Sequence, residues 1–169
     1  PILDPEIAQR RLEPAVLNQP PPDGDRIAIL VPIRDAVGNL DGFAAAISAL
    51  DLPKEKVKVV FCEGDSVDGT FDKLTHMLPD LRQRFREVIV LRKEVGNNVL
   101  RERRWDRRLQ RSRRGGLAVV RNHLIDHGLD DGDDWALWID VDVWKFPTDI
   151  VQTLRGADAR IVAPNCVTF

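Results

Sequence analysis

The sequence predicts an α/β fold, a mostly parallel β-sheet with helices packed on both faces. Three observations predict it. Short apolar runs of strand length alternate with segments whose apolar residues recur at helical spacing. Polar, glycine-containing turns follow the runs. Two aspartates close the run richest in tryptophan, and an open α/β sheet binds its ligands outside strand ends of that kind.

Residues 1–25 carry Pro1, Pro5, Pro14, Pro20, Pro21 and Pro22 with no sustained period, which predicts an extended lead-in before a single domain over 26–169. RIAILVPIRDA supplies an unbroken apolar run, Ile27 to Ile33, as a strand buried on both faces requires. Asn39 can cap a helix carrying Leu40, Phe43, Ala44, Ile47 and Leu50 on one stripe. Val57 to Cys62 forms the second strand, and the turn Glu63 to Gly69 opens a helix with Phe71, Leu74 and Leu78 inward. Val88 to Leu91 is a third strand. RERRWDRRLQRSRR then breaks the rhythm with eight arginines between Arg101 and Arg114, as a long functional or mobile loop would. LAVVRNHLIDHGL predicts a helix with Leu117, Val120, Leu124 and Ile125 on its apolar stripe, ended by Gly128. Trp135 to Ile139 is the fourth strand, Pro147 starts a helix through Leu154, and ARIVAPNC supplies a fifth strand.

The composition fits one soluble globular domain. Of 169 residues, 43% are apolar and 31% charged, with a formal net charge of -2, which excludes the disordered class and gives no support to a generic nucleic-acid or membrane-surface binder. No apolar run approaches the ~20 residues of a membrane span. The start, PILDPEIAQRRLEP, lacks the apolar core of a signal peptide, so the chain as given reads as soluble. Cys62 and Cys166 are too few and too far apart for a disulfide framework or a zinc cluster and read as reduced, structural thiols.

DWALWIDVDVW carries the chemistry. Asp140 and Asp142 are two apart at a strand end, so both carboxylates point the same way. Two anions held close repel, and a hard divalent cation with oxygen ligands relieves both, Mn²⁺ or Mg²⁺ being the natural guest with diphosphate oxygens completing its shell. The plainer reading is a pair of solvated aspartates. Flanking Trp138 and Trp144 place the pair at the edge of a core instead. Three loops then converge on one crevice: Pro32 to Asp35, Glu63 to Asp68, and Asp140 to Asp142. Helix capping accounts for Ser66 or Asp68, which leaves Asp65 to hydrogen bond a nucleobase or ribose. Arg121 falls inside the apolar stripe of its own helix, where an unpaired guanidinium is costly, so it requires a carboxylate or phosphate partner. His123 and His127, four apart, have no accompanying carboxylate motif and read as solvated or capping residues.

Taken in order, RIAILVPIRDA, EGDSVDGT, AVVRNHL, DWALWIDVDV and IVAPNC resemble the nucleotide-binding half of GT-A fold glycosyltransferases, and among them the fungal mannan-polymerase type α-mannosyltransferases, glycosyltransferase family 62. The resemblance covers about Arg26 to Phe169. Its most specific parts are the helix containing Arg121-Asn122, the W-x-L-W-x-D-V-D that follows, and then P-N-C. It implies a GT-A, Rossmann-like sheet of which this chain is the nucleotide-sugar-binding part, truncated on the acceptor side 27 residues after Asp142. It further implies retaining transfer of mannose from GDP-mannose to a glycan acceptor, with Mn²⁺ (or Mg²⁺) as cofactor. Asp142 would be the direct metal ligand, and Asp140 would contact ribose or a metal-bound water. Pro32, Arg34, Glu63, Asp65 and Ser66 would border the nucleoside. Arg121, or arginines of the 101–114 segment, would stabilise the leaving diphosphate. Homo- or hetero-oligomers are compatible with such a protein, and nucleic acid is not an expected partner. The membrane anchor typical of fungal members is absent from these residues, so the resemblance implies the Golgi lumen for a fungal member and the cytoplasm for a bacterial one. Nineteen arginines against six lysines, with no tyrosine, suit a bacterial relative.

Two other classes of function fit parts of the sequence. LWIDVDV also satisfies the Asp-x-Asp-x-Val of a haloacid dehalogenase-like phosphohydrolase, but there the motif opens the domain, and here three strand–helix units precede it. RERRWDRRLQRSRR could build a non-enzymatic nucleic-acid or anion-binding module, although Glu102 and Asp106 interrupt its charge. A nucleotidyltransferase would want a Gly-rich loop after the first strand, which PIRDAVGN does not provide.

Overall fold

The first strand, β1 (Ile27–Ile33), is buried along its whole length, and the other elements are arranged around it. The computed structural model describes residues 25–96, 110–157 and 159–164. After β1 come helix α1 (Leu40–Ser48), a 3₁₀ turn at Lys54–Lys56, β2 (Val57–Glu63), α2 (Thr70–Arg84), β3 (Glu87–Arg92), α3 (Gln110–Gly128), β4 (Trp135–Trp138) and α4 (Ile150–Arg155). Among the described residues the strands form one four-stranded parallel sheet in the order β3-β2-β1-β4.

Alternation along β1 explains why both faces must be covered. Ile27, Ile29, Val31 and Ile33 join Val57, Val59 and Phe61 of β2 in a core beneath α1 and α2, which contribute Leu40, Phe43, Ile47, Leu74 and Leu81, with Val151 of α4. Ala28 and Leu30 point the other way and meet Val60, Cys62, Val120 and Leu124 under α3. Each such aliphatic side chain contributes about 1.5–3 kcal/mol when fully buried. Gly128 lies against β2: a Cβ there would stand 2.9 Å from Val60 Cγ1, so the absence of a side chain lets α3 approach the sheet. Burial raises the pKa of the Cys62 thiol to about 11, which leaves it protonated and inert, as expected of a structural cysteine.

Several expectations need correction. Asn39 takes the cap position of α1, but its side chain makes no capping hydrogen bond. Strand β2 runs one residue further, through Glu63. Helix α3 is already helical at Gln110, the first described residue of that stretch, rather than from Leu117, and takes in Arg111, Arg113 and Arg114. Its buried stripe is Val120, Leu124 and Gly128, with Leu117 exposed and Ile125 half-buried. Helix α4 begins at Ile150, three residues after Pro147, whose carbonyl accepts the Ile150 N–H. Residues 159–164 form no strand: Ile161 is 92% exposed, and no described strand pairs with that segment. Arg101 to Leu109, Asn165 and Cys166 lie outside the described residues. Among the described residues no helix is long and apolar enough to cross a membrane.

At the amino end of the sheet a buried ion network fixes the loop between α3 and β4. The Lys58 ammonium, 1% exposed, pairs with Asp133 and with Asp130 (2.8 Å), and Arg86 reaches the other oxygen of Asp133 at 2.6 Å. Burial pulls the Lys58 pKa down, but the hydrogen bonds from its ammonium to Asp130 and Asp133 outweigh that and leave it raised. Stabilisation from a raised lysine is complete below the unfolded value of about 10.4 and is lost as pH rises through the folded value. Lys58→Met, which leaves Asp133 buried with half its cationic partners, is expected to cost about 3–5 kcal/mol in urea unfolding at pH 7, with the gap from wild type narrowing in strong alkali.

Candidate functional site

The order β3-β2-β1-β4 means that the chain builds outward from β1 to β3 and then returns to β1's other side. The crevice at such a reversal lies between the carboxyl ends of β1 and β4. Register leaves it open. β4 pairs with β1 only from Ile27↔Trp135 to Leu30↔Trp138, and the last bond across is Ile139 N–H to Leu30 O at 3.3 Å, whereas β2 stays paired through Ile33↔Glu63. The last three residues of β1 therefore have no β4 neighbour. Pro32 falls there, two residues beyond Leu30 and in the same orientation, so its missing N–H leaves no donor unsatisfied.

Beyond Ile139 the chain turns instead of continuing as a strand, with the Val143 N–H closing onto Asp140 O at 2.9 Å. Burial still alternates: Ile139 and Val141 are buried, while Asp140 and Asp142 are exposed. The turn thus anchors itself by two apolar side chains and presents both carboxylates to solvent. Trp138 and Trp144 flank it, each partly exposed, and Trp144 packs on α1, where a Cβ on Gly42 would lie 3.4 Å from its Cδ2.

Arg121 has the carboxylate partner that the sequence required, and the partner is Asp140, with Nη2 3.1 Å from Oδ1. Its guanidinium also lies 5.6 Å from the Trp138 ring centroid. Its predicted place inside the apolar stripe is wrong. Because the buried stripe of α3 is Val120, Leu124 and Gly128, Arg121 sits on the flank with 42% of its side chain exposed, and Asp140 is 49% exposed. Water and Arg121 compensate the acidic pair, so repulsion between its carboxylates does not oblige the fold to hold a cation there.

The other two loops are bound to each other. The Asp35 N–H donates to Ser66 Oγ (3.0 Å), and the Val67 N–H returns to Asp35 Oδ1 (3.0 Å). The Ala36 N–H donates to Thr70 Oγ1 (2.7 Å) and the Val37 N–H to Asp68 Oδ2 (3.2 Å). Asp68 accepts from the Thr70 N–H (3.0 Å) and the Thr70 hydroxyl in a local turn just ahead of α2, whose cap residue is Gly69 with no side-chain capping bond, while Ser66 joins the two loops. Burial works to raise the Asp68 pKa, but the hydrogen bonds from Thr70 and Val37 prevail and lower it. Glu63 is buried at the end of β2, and its Oε1 accepts the Ser66 N–H at 3.1 Å. Its Oε2 lies 3.4 Å from Arg92 Nε. Asp65 Oδ2 accepts the Val95 N–H (3.1 Å) and lies 4.0 Å from Arg34 Nη1, and Arg34 Nε is 3.6 Å from Asp35 Oδ2.

The residues predicted from sequence therefore separate into two groups. Asp140, Asp142 and Arg121 come together on one side of the crevice. Arg34, Glu63, Asp65 and Ser66 come together on the other, beside Pro32, but Glu63 and Ser66 are committed to holding the loops. Asp35 was missed as an organising residue. Both Asp35 (φ 45°) and Asp65 (φ 58°) adopt the left-handed backbone region, which aspartate tolerates better than most residues. Gly64 was missed too: a Cβ there would lie 2.0 Å from Lys93 O.

Among the described residues no three His, Cys, Asp or Glu side chains are placed to hold a metal ion together. The His123 and His127 rings pack edge to face at 4.3 Å and line a shallow cavity of about 290 Å³ with Lys93, Asn122 and Asp126. Partial burial and then the neighbouring His127 lower the His123 pKa.

Comparison with known proteins adds an independent line. Residues 15–169 match the family described as Anp1. The chain is 31% identical over 151 residues to the ANP1 subunit of the mannan polymerase II complex of Saccharomyces cerevisiae, covering 84% of this chain and 30% of that one. It is 28% identical over 150 residues to the anp1 subunit of the corresponding Schizosaccharomyces pombe complex, covering 83% and 35%. The chain thus spans about a third of the length of these curated relatives. Among solved structures, it resembles a mannosyltransferase from Pyrobaculum calidifontis in complex with GDP-Man and Mn²⁺ (TM-score 0.56, 16% identity, covering 86% of this chain and 36% of that chain). It also resembles TarS of S. aureus (TM-score 0.55, 14% identity, covering 78% and 31%). At these identities the likeness is one of fold.

Two outcomes test the loop geometry. Gly64→Ala sets a methyl group against a backbone carbonyl and is expected to cost about 3 kcal/mol in urea unfolding, the upper range for an overpacked site. A lowered carboxylate stabilises the fold above the unfolded value of about 3.9 and ceases to do so as pH falls through the folded value. Asp68→Asn should therefore be less stable than wild type at pH 7, with the difference shrinking below pH ~4.

Proposed function

The chain belongs to the Anp1 family, and from that premise we propose that it is the nucleotide-sugar-binding part of a GT-A-type mannosyltransferase that transfers mannose from GDP-mannose to a glycan acceptor with retention. The observation that carries this reading is the turn at 140–142, which exposes two carboxylates at the sheet's topological reversal and is anchored by buried Ile139 and Val141. Two likenesses support it: the relatives are named as mannan polymerase subunits, and the Pyrobaculum calidifontis mannosyltransferase was solved in complex with GDP-Man and Mn²⁺.

The donor chemistry of the crevice fits a hard divalent cation. Asp140 and Asp142 supply oxygen ligands only, on one exposed turn, and leave the rest of a coordination shell to phosphate oxygens and water. When bound, such an ion neutralises the charge that grows on the diphosphate as the glycosidic bond breaks. This chain's own residues would do the following. Asp142 holds the ion directly, and Asp140 holds a water of its shell or the ribose. Arg121 offers a guanidinium to diphosphate oxygens. Arg34 and Asp65, paired with each other across the β1 and β2 loops, form the nucleoside side of the crevice next to the buried ring of Pro32. Glu63, Ser66, Asp68 and Asp35 act one step back, by fixing the backbone of those loops. The relatives are named as subunits of complexes, and we take hetero-oligomeric assembly to be the working form of the whole protein.

Thermal unfolding with GDP, UDP or CMP, each with and without Mn²⁺, tests the reading. GDP should raise Tm by several degrees only when Mn²⁺ is present, with UDP and CMP weaker, and Asp142→Ala should abolish the shift while leaving the unliganded Tm within about 2 °C, as expected for an exposed side chain. Phosphate release from small phosphoesters that depends on Asp140, with no nucleotide-dependent shift, would assign the chain to the phosphohydrolases instead.

A further inference from the structure

Asp140 and Asp142 are chemically alike, yet their surroundings differ. Asp140 Oδ1 is 3.1 Å from Arg121 Nη2, whereas Asp142 makes no ion pair or side-chain hydrogen bond among the described residues. Arg121 is itself incompletely satisfied. Among the described residues its Nε is shielded from solvent and has no hydrogen-bond partner, and its guanidinium lies 5.6 Å from the centroid of the Trp138 ring. The pair is half-exposed on both sides, in the class of ion pairs worth little and easily exchanged. A cation approaching the turn would meet one free carboxylate and one already neutralised.

We propose that Arg121 is an exchangeable internal counter-ion: it neutralises Asp140 while the crevice is empty, and it leaves that carboxylate for the donor's diphosphate when cation and nucleotide arrive together. This rests on the donor-binding reading above and adds an order to it. With Arg121 on Asp140, a bare divalent cation meets repulsion from the guanidinium and binds poorly. With a diphosphate present, the same guanidinium gains an anionic partner, Asp140 is released to the cation's shell, and all the charges are paired. Arg121 therefore opposes the cation alone and favours the cation–nucleotide pair. A residue that merely supported the fold would not act in opposite directions on the two.

The test measures two affinities on the same proteins: bare Mn²⁺ by the electron paramagnetic resonance signal of the free ion, and GDP at saturating Mn²⁺ by calorimetry. Wild type, Arg121→Gln and Arg121→Lys are compared, with circular dichroism melts to confirm folding. Arg121→Gln is expected to bind bare Mn²⁺ about threefold more tightly, the scale of one exposed ion pair, and GDP–Mn²⁺ at least about tenfold more weakly, the loss of one charge-assisted contact. Arg121→Lys should lie between wild type and the glutamine variant in both. Removing Asp140's charge in Asp140→Asn should abolish the gain in bare Mn²⁺ affinity from Arg121→Gln. Equal or weaker bare Mn²⁺ binding by Arg121→Gln in a folded protein overturns the counter-ion role while leaving donor binding in place. A wild-type chain that binds no GDP with Mn²⁺ overturns both.

Discussion

The structure depends on one constraint, the mismatch in length between β1 and β4. β1 is buried on both faces and held by β2 to its last residue, but β4 leaves it at Leu30. Had β4 continued in register, Asp140 and Asp142 would have been drawn along a paired strand beside Pro32 and Arg34, and the crevice would have closed. The chain turns instead, and the hydrophobic anchoring of Ile139 and Val141 holds that turn. Burial of apolar surface fixes where the acidic turn stands, and hydrogen bonds fix the loops that face it.

The two sides of the crevice are therefore built differently. On the β1–β2 side, four backbone N–H groups of residues 35–37 and 67 are met by side chains of Asp35, Ser66, Asp68 and Thr70, and two aspartates sit at positive φ. Such a network is rigid because each member satisfies another and because strained backbone persists only when its neighbours over-determine it. On the β4 side, Asp140, Asp142 and Arg121 are partly solvated, and among the described residues a half-exposed ion pair links Arg121 to Asp140 alone. If the crevice binds a nucleotide sugar as proposed, the β1–β2 wall would set the geometry in advance while the half-exposed ion pair could rearrange at little cost.

The amino end of the sheet is arranged in the opposite way. Lys58, Asp133 and Arg86 are a largely buried network in which removing one partner leaves another charge stranded, and it ties β2 and the start of β3 to the loop that delivers β4 to β1. The Asp134 and Trp135 N–H groups both donate to Arg26 O, and Asp134 accepts from the Arg26 N–H at 2.8 Å. Tight electrostatics thus set the register with which β4 enters the sheet, and that register decides where it leaves.

Much of this was legible in the sequence. The unbroken apolar run Ile27–Ile33 is β1 to the residue, because only a strand covered on both faces needs such a run. The pairing of Arg121 with Asp140 was anticipated as a carboxylate or phosphate partner, but from a buried placement that the half-exposed side chain does not have. The strand–helix alternation, the parallel sheet and the acidic turn at a strand's carboxyl end all followed from local pattern. Helix boundaries and the inward face of α3 did not. Leu117 and Ile125 fit a helical stripe as well as Val120 and Leu124 do, and only the close approach of Gly128 to Val60 selects the face that packs. Residues 159–164 have the composition of a strand, but a strand exists only where a neighbour pairs with it. The sequence by itself determined which residues are chemically able to form the site, since side-chain type and spacing are local properties. The tertiary structure alone decided that Glu63 and Ser66 hold loops, that Asp140 is already paired, and that β4 ends three residues short of β1, because these depend on which distant groups the packing brings within bonding range.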